Sequence, residues 1–373
     1  MKRKIYILMI FLMLTVTLSG CFDYKELNNY AIITGIAIDK GEEGKKYKVT
    51  CEVLTFETGR QGKIKPVLVD SEGDTLIEAT RPMITSFAKR MFGGHFKALV
   101  ISEEVAREGV FDIIDYFIRS HEARSIVTVF TTKECKASDL FENTAMYYDV
   151  AGYEMDLLGA NDSNGLGYGR KVFLYQAFNT LLSEGAELTL PVLELKEEQE
   201  KKTFHLYGVG LFRDDKLIEM IEGEKARYFL SFLNEFNAGQ TVVKLDNGSL
   251  VTYELINVKT KTKVKIKKDR YDISTTVKLY FYVRAISVDK NEKKVHLSDE
   301  KQSEVLKEDW EKQMMEMFGR IQEVNTDVFS FGRLIMGNDF KKWKKEKDKR
   351  DILGKVDIKI NVEVTNLGTG KLK

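Results

Sequence analysis

The chain has little cysteine, little proline and almost no net charge. Three cysteines and three prolines in 373 residues exclude a disulfide-rich scaffold and proline-rich linkers. The 58 basic and 57 acidic residues nearly cancel, so overall charge gives no reason to expect nucleic acid as a partner. Disorder is excluded as well, because it requires low hydrophobicity and high net charge, whereas 43% of the residues are apolar.

Long apolar runs are also missing beyond the N-terminus. No segment after Cys21 contains the roughly 18 consecutive apolar residues that predict a transmembrane helix. A length of 373 residues predicts two or three domains. Charged residues concentrate around 194–202, which predicts a linker over residues 196–203. That linker would separate an N-terminal α/β region over 21–195 from a C-terminal domain over 204–370.

Residues 1–20 have the pattern of a bacterial lipoprotein signal peptide. Lys2-Arg3-Lys4 precedes an apolar run from Ile5 to Leu18, and small residues stand directly before Cys21. The run is shorter than the roughly 20 residues that a spanning helix needs. We therefore expect cleavage before Cys21 and a covalent lipid (diacylglycerol and palmitate) on its sulfur. The chain would then be anchored to the outer face of the cytoplasmic membrane. An uncleaved anchor and an ordinary signal peptide are the alternatives.

The first half alternates between strand-like and helix-like segments. A continuous apolar run predicts a buried strand, and the alternation that follows it predicts an antiparallel partner. A helix capped by Asp74 is expected to run to about Arg90, with Pro82 kinking it. Further segments are predicted as strand 96–101, helix 103–119, strand 126–131 and a helix from Ser138. This alternation predicts a mixed sheet packed with helices.

The second half reads as a domain with an antiparallel sheet and a long helix. Strands are predicted over 205–213, 217–221, 241–245, 249–258, 260–267, 272–286 and 356–364, with a short helix over 226–236. Asn247-Gly248 is a strong two-residue hairpin signal. A long helix begins near Ser298, and its apolar stripe from Leu306 to Val328 is typical of core packing. The expected class is α+β or mixed α/β, multi-domain, with mixed and antiparallel sheets each packed with helices.

No catalytic or metal-binding pattern stands out in the sequence. The four histidines (His95, His121, His205 and His296) are scattered, and neither a nucleophile–base pair nor a phosphate loop is present. Gly165 to Lys171 reads as a flexible surface loop. Cys51 and Cys135 fit either burial as small apolar residues or a disulfide. We expect no enzymatic activity, no metal, and no cofactor beyond the covalent lipid.

Two basic segments are candidate interaction surfaces. Alternate residues from 259 to 267 are lysines, and on a strand they would share one face; they are Lys259, Lys261, Lys263, Lys265 and Lys267. This face fits a solvated surface that discourages edge pairing, or a contact with anionic lipid or an acidic partner. The second segment, 341–350, has seven basic residues. It fits a contact with an anionic membrane, or a solvated surface with Trp343 packed back on the domain.

Several motifs resemble those of the Ger(x)C-type proteins, the C-subunit lipoproteins of spore germinant receptors. The mature start, Gly20-Cys21-Phe22-Asp23, is similar, although this family usually has Trp in place of Phe22. Similar stretches then follow in the same order along nearly the whole chain; they are 92–97, 101–109, 119–124, 208–212 and 339–350.

The resemblance implies a non-enzymatic, lipid-anchored receptor subunit in the spore inner membrane. It also implies that the N-terminal half consists of two subdomains. Its implied partners are the membrane-embedded A- and B-type receptor subunits, and its implied role is in the nutrient-triggered germination response. The alternative is a solute-binding lipoprotein that captures the nutrient directly. Because the second half predicts a meander and not a second doubly wound lobe, we expect negligible direct nutrient binding. A surface hydrolase would need a nucleophile–base pair that the sequence does not display.

Overall fold

Two β-sheets organise the described part of the chain, one of nine strands and one of four. The computed structural model describes residues 3–6, 30–56, 64–86, 90–142, 149–161, 167–198, 201–287, 297–346 and 349–368. The predicted lipid-attachment residue, Cys21, lies outside the described residues, as do His296 and residues 165–166 of the glycine-rich segment.

The larger sheet takes its strands from residues 30–222. They are β1 (Tyr30–Lys40), β2 (Tyr47–Phe56), β3 (Ile64–Gly73), β4 (Arg90–Phe92), β5 (Ala98–Ile101), β6 (Thr128–Thr132), β7 (Thr189–Glu198), β8 (Lys201–Arg213) and β9 (Lys216–Glu222). Their order is β3-β2-β1-β5-β6-β7-β8-β9, with β4 also beside β1. The centre is parallel, and antiparallel hairpins extend it on both sides. The sheet is therefore mixed, as predicted.

Helices cover both faces of this sheet. They are α1 (Leu76–Ser86), α2 (Glu103–Glu108), α3 (Phe111–Arg119), α4 (Ala151–Asn161) and α5 (Leu174–Leu181). Apolar residues of α1, α2, α3 and α5 share one core with β1, β2 and β5. On the opposite face, α4 and a 3₁₀ turn at Ser138–Phe141 pack against Phe130. Helices on both faces explain why β1 is buried on both sides.

Three helix predictions in this half need correction. The helix expected from Ser138 is a 3₁₀ turn of four residues, Ser138–Phe141. The helix expected over 103–119 breaks at Gly109, whose φ of 144° is unfavourable for a residue with a side chain. The predicted cap at Asp74 is also wrong, because the Thr75 hydroxyl accepts the N–H of Glu78 at 3.1 Å. Asp74 instead forms an ion pair with Lys45 at 2.9 Å. The helix begins at Leu76 and ends at Ser86, with Pro82 inside it.

The described residues of the segment predicted as a linker, 196–198 and 201–203, belong to the paired strands β7 and β8. Glu197 on β7 stands opposite Lys202 on β8. Opposite charges at facing positions stabilise an antiparallel pair. The charge-rich composition of this segment is therefore a feature of paired strands and not of a linker. The strands β8 and β9 then complete the first sheet before the chain enters the second.

The second sheet consists of four strands with helices on its inner face. The strands are β10 (Gly239–Lys244), β11 (Leu250–Ile266), β12 (Tyr271–Ser287) and β13 (Val356–Asn366). The helices are α6 (Gly223–Phe232), α7 (Asp299–Glu323), α8 (Phe331–Asn338) and α9 (Phe340–Lys345), followed by a 3₁₀ turn at Leu353–Lys355. The predicted hairpin turns at Asn247-Gly248, but its loop is longer than the expected two residues. The last strand pair is Lys244 with Leu250, and Gly248, at a φ of 85°, donates its N–H to the Leu245 carbonyl at 2.9 Å.

This sheet differs from the predicted antiparallel meander in two respects. The strands expected over 249–258 and 260–267 are one strand, β11, with an irregularity between Leu255 and Asn257. The closing strand β13 pairs in parallel with β12, because the chain between them crosses over through α7, α8 and α9 and so returns in the same direction.

The long helix α7 packs its apolar stripe on the second sheet. The Ser298 side chain caps it by accepting the N–H of Lys301 at 3.3 Å. Within the helix the stripe is fully or almost fully buried, as expected for core packing; it comprises Leu306, Trp310, Met314, Met317 and Ile321. The last two residues of the predicted stripe, Val324 and Val328, lie beyond the end of the helix at Glu323. No helix in the described part of the chain has the length and apolarity to span a bilayer.

Candidate functional site

The most unusual surface of the second sheet is its lysine row, Lys259, Lys261, Lys263, Lys265 and Lys267. All five side chains are exposed on the outer face of β11 and the turn that follows it. The residues between them are half-buried and turn toward the core; they are Thr260, Thr262, Val264 and Ile266. The row extends over about 26 Å at the rise of a strand. The structure thus places the five predicted residues on one face.

Neighbouring acids neutralise the end of the row and not its middle. Lys267 forms an ion pair with Asp272 at 2.8 Å. On the same face, Glu363 forms an ion pair with Lys278 at 2.8 Å. Across the described residues, no carboxylate lies within 4.0 Å of the other lysines, Lys259, Lys261, Lys263 and Lys265. The first three of these line a groove of about 360 Å³ together with Ser274 and Thr276.

The lysine row lies on a part of β11 that pairs with a described strand on one side only. β10 pairs with β11 over residues 250–255, while β12 pairs with it along its whole length. The N–H of Thr260 reaches the side chain of Asn234 at 2.7 Å. Beyond that point, the backbone groups of Thr262, Val264 and Ile266 face away from β12, and no described strand pairs with them. We call residues 260–266 the open edge of β11.

A second feature is a polar cleft between the two halves of the chain. It has a volume of about 340 Å³, and its polar lining includes Arg170, Gln176, Glu187, Glu235 and Arg333. Arg170 and Glu235 form an ion pair at 2.8 Å, although burial raises the pKa of Glu235. The guanidinium of Arg333 has no hydrogen bond or ion pair to any described residue. Its charge acts on the nearby Asp327, where it opposes the rise in the pKa. Among the described residues of the cleft, this guanidinium is therefore a cation that a small anionic group could bind.

Two acids beside this cleft have strongly raised pKa values. Asp327 accepts the N–H groups of Phe331 at 2.9 Å and Gly332 at 2.7 Å, at the start of α8. Burial is the main cause that raises the pKa of Asp327 to about 7, and burial also raises that of Glu187 to about 7. Sequence reasoning missed both acids, because each is an isolated carboxylate with no local pattern around it.

The glycine-rich segment is not the surface loop that the sequence suggested, at least over its described residues 167–171. Gly167 has a φ of 70°, and an added Cβ would lie 2.5 Å from the ring of Phe236. Gly169 is similarly close to Leu206. Gly167 therefore allows a close approach to Phe236 of the second core, and Gly169 allows one to Leu206 on β8 of the first sheet. Both glycines serve packing and do not form a phosphate loop.

The surroundings of the cysteines and of Trp343 indicate roles in packing. Cys51 is buried with its sulfur 3.8 Å from that of Met83, and burial raises its pKa to about 12. Neither Cys51 nor Cys135 forms a disulfide. Trp343 is 1% exposed and donates its indole N–H to Glu184 at 3.0 Å. Of the two interpretations of segment 341–350, the structure therefore supports the one in which Trp343 packs back on the domain.

Comparison with known families decides where this chain belongs. The profile of the spore germination protein N-terminal domain matches residues 23–195, and that of the spore germination B3/GerAC-like C-terminal domain matches residues 207–370. The chain belongs to the spore germination protein family. The Ger(x)C-type resemblance is thereby confirmed. The boundary between the two profiles falls in the β7–β8 hairpin, so the first sheet contains strands from both family domains.

Relatives in this family include three Bacillus proteins. Spore germination protein KC of Bacillus subtilis is 23% identical over 406 residues, covering 99% of this chain and 97% of that protein. GerQC of Bacillus cereus is 25% identical over 268 residues, covering 72% of this chain and 71% of that protein. YfkR of Bacillus subtilis is 26% identical over 260 residues, which is 66% of either chain.

A solved structure supports the fold. The crystal structure of the GerBC protein matches with a TM-score of 0.54 at 18% identity, covering 92% of this chain and all of that one. At this identity the match concerns the fold alone. It confirms the predicted class, with mixed sheets packed by helices.

Proposed function

We propose that this germination protein is the lipid-anchored C-type subunit of a germinant receptor. The observation that carries the proposal is the match of two successive family profiles over residues 23–195 and 207–370. In this account the chain acts beside membrane-embedded A- and B-type subunits on the outer face of the spore inner membrane. Its role is assembly within the response to nutrients and not catalysis.

The anchor is proposed at Cys21. Its sulfur would accept diacylglycerol after removal of residues 1–20, and the new amino group would be acylated. Two or three acyl chains hold a protein stably on a bilayer, since each buried methylene contributes about 0.8 kcal/mol. The support is the sequence pattern alone: a basic start, a short apolar run and small residues before the cysteine.

Fractionation of cells that lack the partner subunits tests this anchor. We expect the wild-type chain in the membrane pellet and the Cys21→Ala variant in the soluble fraction. Cys135→Ala is a matched control, because it also removes a thiol and leaves the signal pattern intact. Retention of the Cys21→Ala variant in the pellet would contradict the anchor.

The alternative, direct capture of a nutrient, has one observation in its favour. The polar cleft between the halves could hold a small carboxylate against the free guanidinium of Arg333, with Glu187 close by for a cation. Calorimetric titration of residues 22–373 with germinant amino acids and sugars decides between the two functions. The receptor-subunit account predicts negligible heat. A saturable isotherm that disappears in Arg333→Gln would instead support capture.

A further inference from the structure

We propose that the open edge of β11 binds an extended acidic segment of a partner protein as an added antiparallel strand. Within residues 260–266, the backbone groups of Thr262, Val264 and Ile266 on the side away from β12 have no partner in the part of the chain that the structure describes. An edge of this kind is a template for another strand. This inference deepens the proposed function, because it names a surface and a chemistry for a protein partner.

The lysine row determines which strand the edge can accept. In an antiparallel pair, residues opposite Lys261, Lys263 and Lys265 would occupy positions that are not hydrogen-bonded to β11, where facing Cα atoms are only about 4.5 Å apart. Like charges at such positions repel and opposite charges attract. A second copy of this edge would set lysine against lysine, whereas a strand with alternating carboxylates would set acid against each lysine.

The uncompensated charge of the row favours the same partner. Alternate lysines on a strand are about 6.6 Å apart, which is less than the screening length of about 8 Å at physiological salt. Lys259, Lys261 and Lys263 have no carboxylate within 4.0 Å among the described residues, so they repel one another, whereas Asp272 stands opposite Lys265 on β12 and forms the ion pair with Lys267. An acidic strand would relieve that repulsion. Its intervening residues would face the half-buried Val264 and Ile266, so they should be apolar.

An anionic membrane surface could use the lysines but not the edge. A bilayer cannot pair with the backbone groups at 262, 264 and 266, and the exposed edge therefore favours a protein strand. The two partners differ in a measurable way, because only the strand requires hydrogen bonds from defined backbone positions.

The probe is a seven-residue capped peptide of alternating glutamate and valine, titrated into residues 22–373 and followed by calorimetry. We expect saturable binding that weakens with salt. When the glutamates of an antiparallel partner lie opposite the lysines, the valine N–H groups face β11 and the glutamate N–H groups face solvent. N-methylation of the valines should therefore abolish binding, while N-methylation of the glutamates should leave it largely intact.

Variants of the protein complete the test. Lys261, Lys263 and Lys265 changed together to Gln should weaken binding roughly tenfold. The matched control changes three exposed lysines elsewhere, Lys216, Lys244 and Lys312, and should bind as the wild type does. Val264→Pro removes one N–H on the open side, where proline is tolerated, and should also prevent binding.

Three results would overturn the inference. In the first, the peptide does not bind. In the second, N-methylation of the valines leaves peptide binding unchanged. In the third, the protein binds vesicles of anionic lipid and does not bind the peptide. The last result would assign the row to a membrane surface. None of these outcomes depends on germination or on Cys21, so the inference and the proposed function can fail separately.

Discussion

At the residue scale, buried carboxylates hold backbone N–H groups that are distant in sequence. Glu52, on β2, accepts the N–H of Ala151 at 2.7 Å and of Gly152 at 2.9 Å, where α4 begins. Asp39 does the same for Ala137 and Ser138. Capping by a residue about 100 positions away has no local signature, so sequence reasoning could not have found these contacts.

Glu52→Gln should destabilise the protein. The Glu52 carboxylate also accepts the Thr34 hydroxyl at 2.6 Å, and an amide would replace one of its two accepting oxygens with a donor. Leaving a buried N–H without a partner costs about 1–3 kcal/mol, and we expect a loss of that size in urea unfolding. Glu316→Gln, an exposed control on α7, should change stability by less than about 0.5 kcal/mol. Equal stability of both variants would contradict the capping role.

Asp327 should give stability a specific pH dependence. Because burial raises its pKa to about 7 from 3.8, the folded state binds a proton more tightly than the unfolded state between those values. The contribution of Asp327 is therefore present below pH 4 and is lost as pH rises toward 7. The Asp327→Asn variant, which cannot ionise, should gain stability relative to wild type over that range. A relative stability that is constant, or that falls, would contradict this account.

At the element scale, prediction succeeded where the signal is local. The β1–β2 hairpin, the Asn247-Gly248 turn and the Ser298 cap of α7 each depend on neighbouring residues, and the structure contains all three. Strand β3 was not predicted, because Pro66 interrupts its pattern. The structure places β3 at the sheet edge, where a proline is tolerated. Tertiary contact also explains the break at Gly109, whose neighbour Val110 donates its N–H to the Asp215 carbonyl.

Two glycine substitutions should have opposite effects on stability. Gly109→Ala would strain a residue with a φ of 144° and place a Cβ 2.6 Å from Asp215, so a loss of about 1–3 kcal/mol is expected. Gly319 lies inside α7 with open space around the Cβ position. Gly319→Ala should therefore stabilise the protein by up to about 1 kcal/mol. Thermal unfolding of both variants measures this, and a change of the same sign in both would contradict it.

At the scale of the whole molecule, the two family domains share the strands β8 and β9. Phe212 and Leu217 belong to the core of the first half. Val209, Leu211 and Ile221, on the same strands, belong to the core of the second half. A composition shift suggested a boundary at this position, but composition cannot reveal that the strands on either side pair with each other. We infer that the halves are coupled in stability.

This coupling predicts a single unfolding transition. The only two tryptophans, Trp310 and Trp343, are buried in the second core, so their fluorescence reports on that half. Glu52→Gln changes the first half, yet it should lower the urea midpoint measured by tryptophan fluorescence as much as that measured by circular dichroism. A circular dichroism transition that splits in two, with the fluorescence midpoint unchanged, would show independent halves.

The candidate site was partly predictable. Period-two alternation is enough to place the lysine row on one face of a strand. The sequence could not show that β10 ends before it reaches the lysine row. The length of a neighbouring strand depends on where its own turn and end residues lie, and not on the sequence of the row. The edge, the polar cleft and the raised pKa of Asp327 all arise from contacts between distant segments.

The central claim is that this chain works as one subunit of a membrane receptor. The most direct measurement is affinity isolation of the tagged chain from detergent-solubilised spore membranes, followed by mass spectrometry, with an untagged strain as the control. The account predicts that membrane-embedded A- and B-type germination proteins are recovered together with the chain. If the chain is recovered from the membranes while neither type is enriched over the control, the account is contradicted.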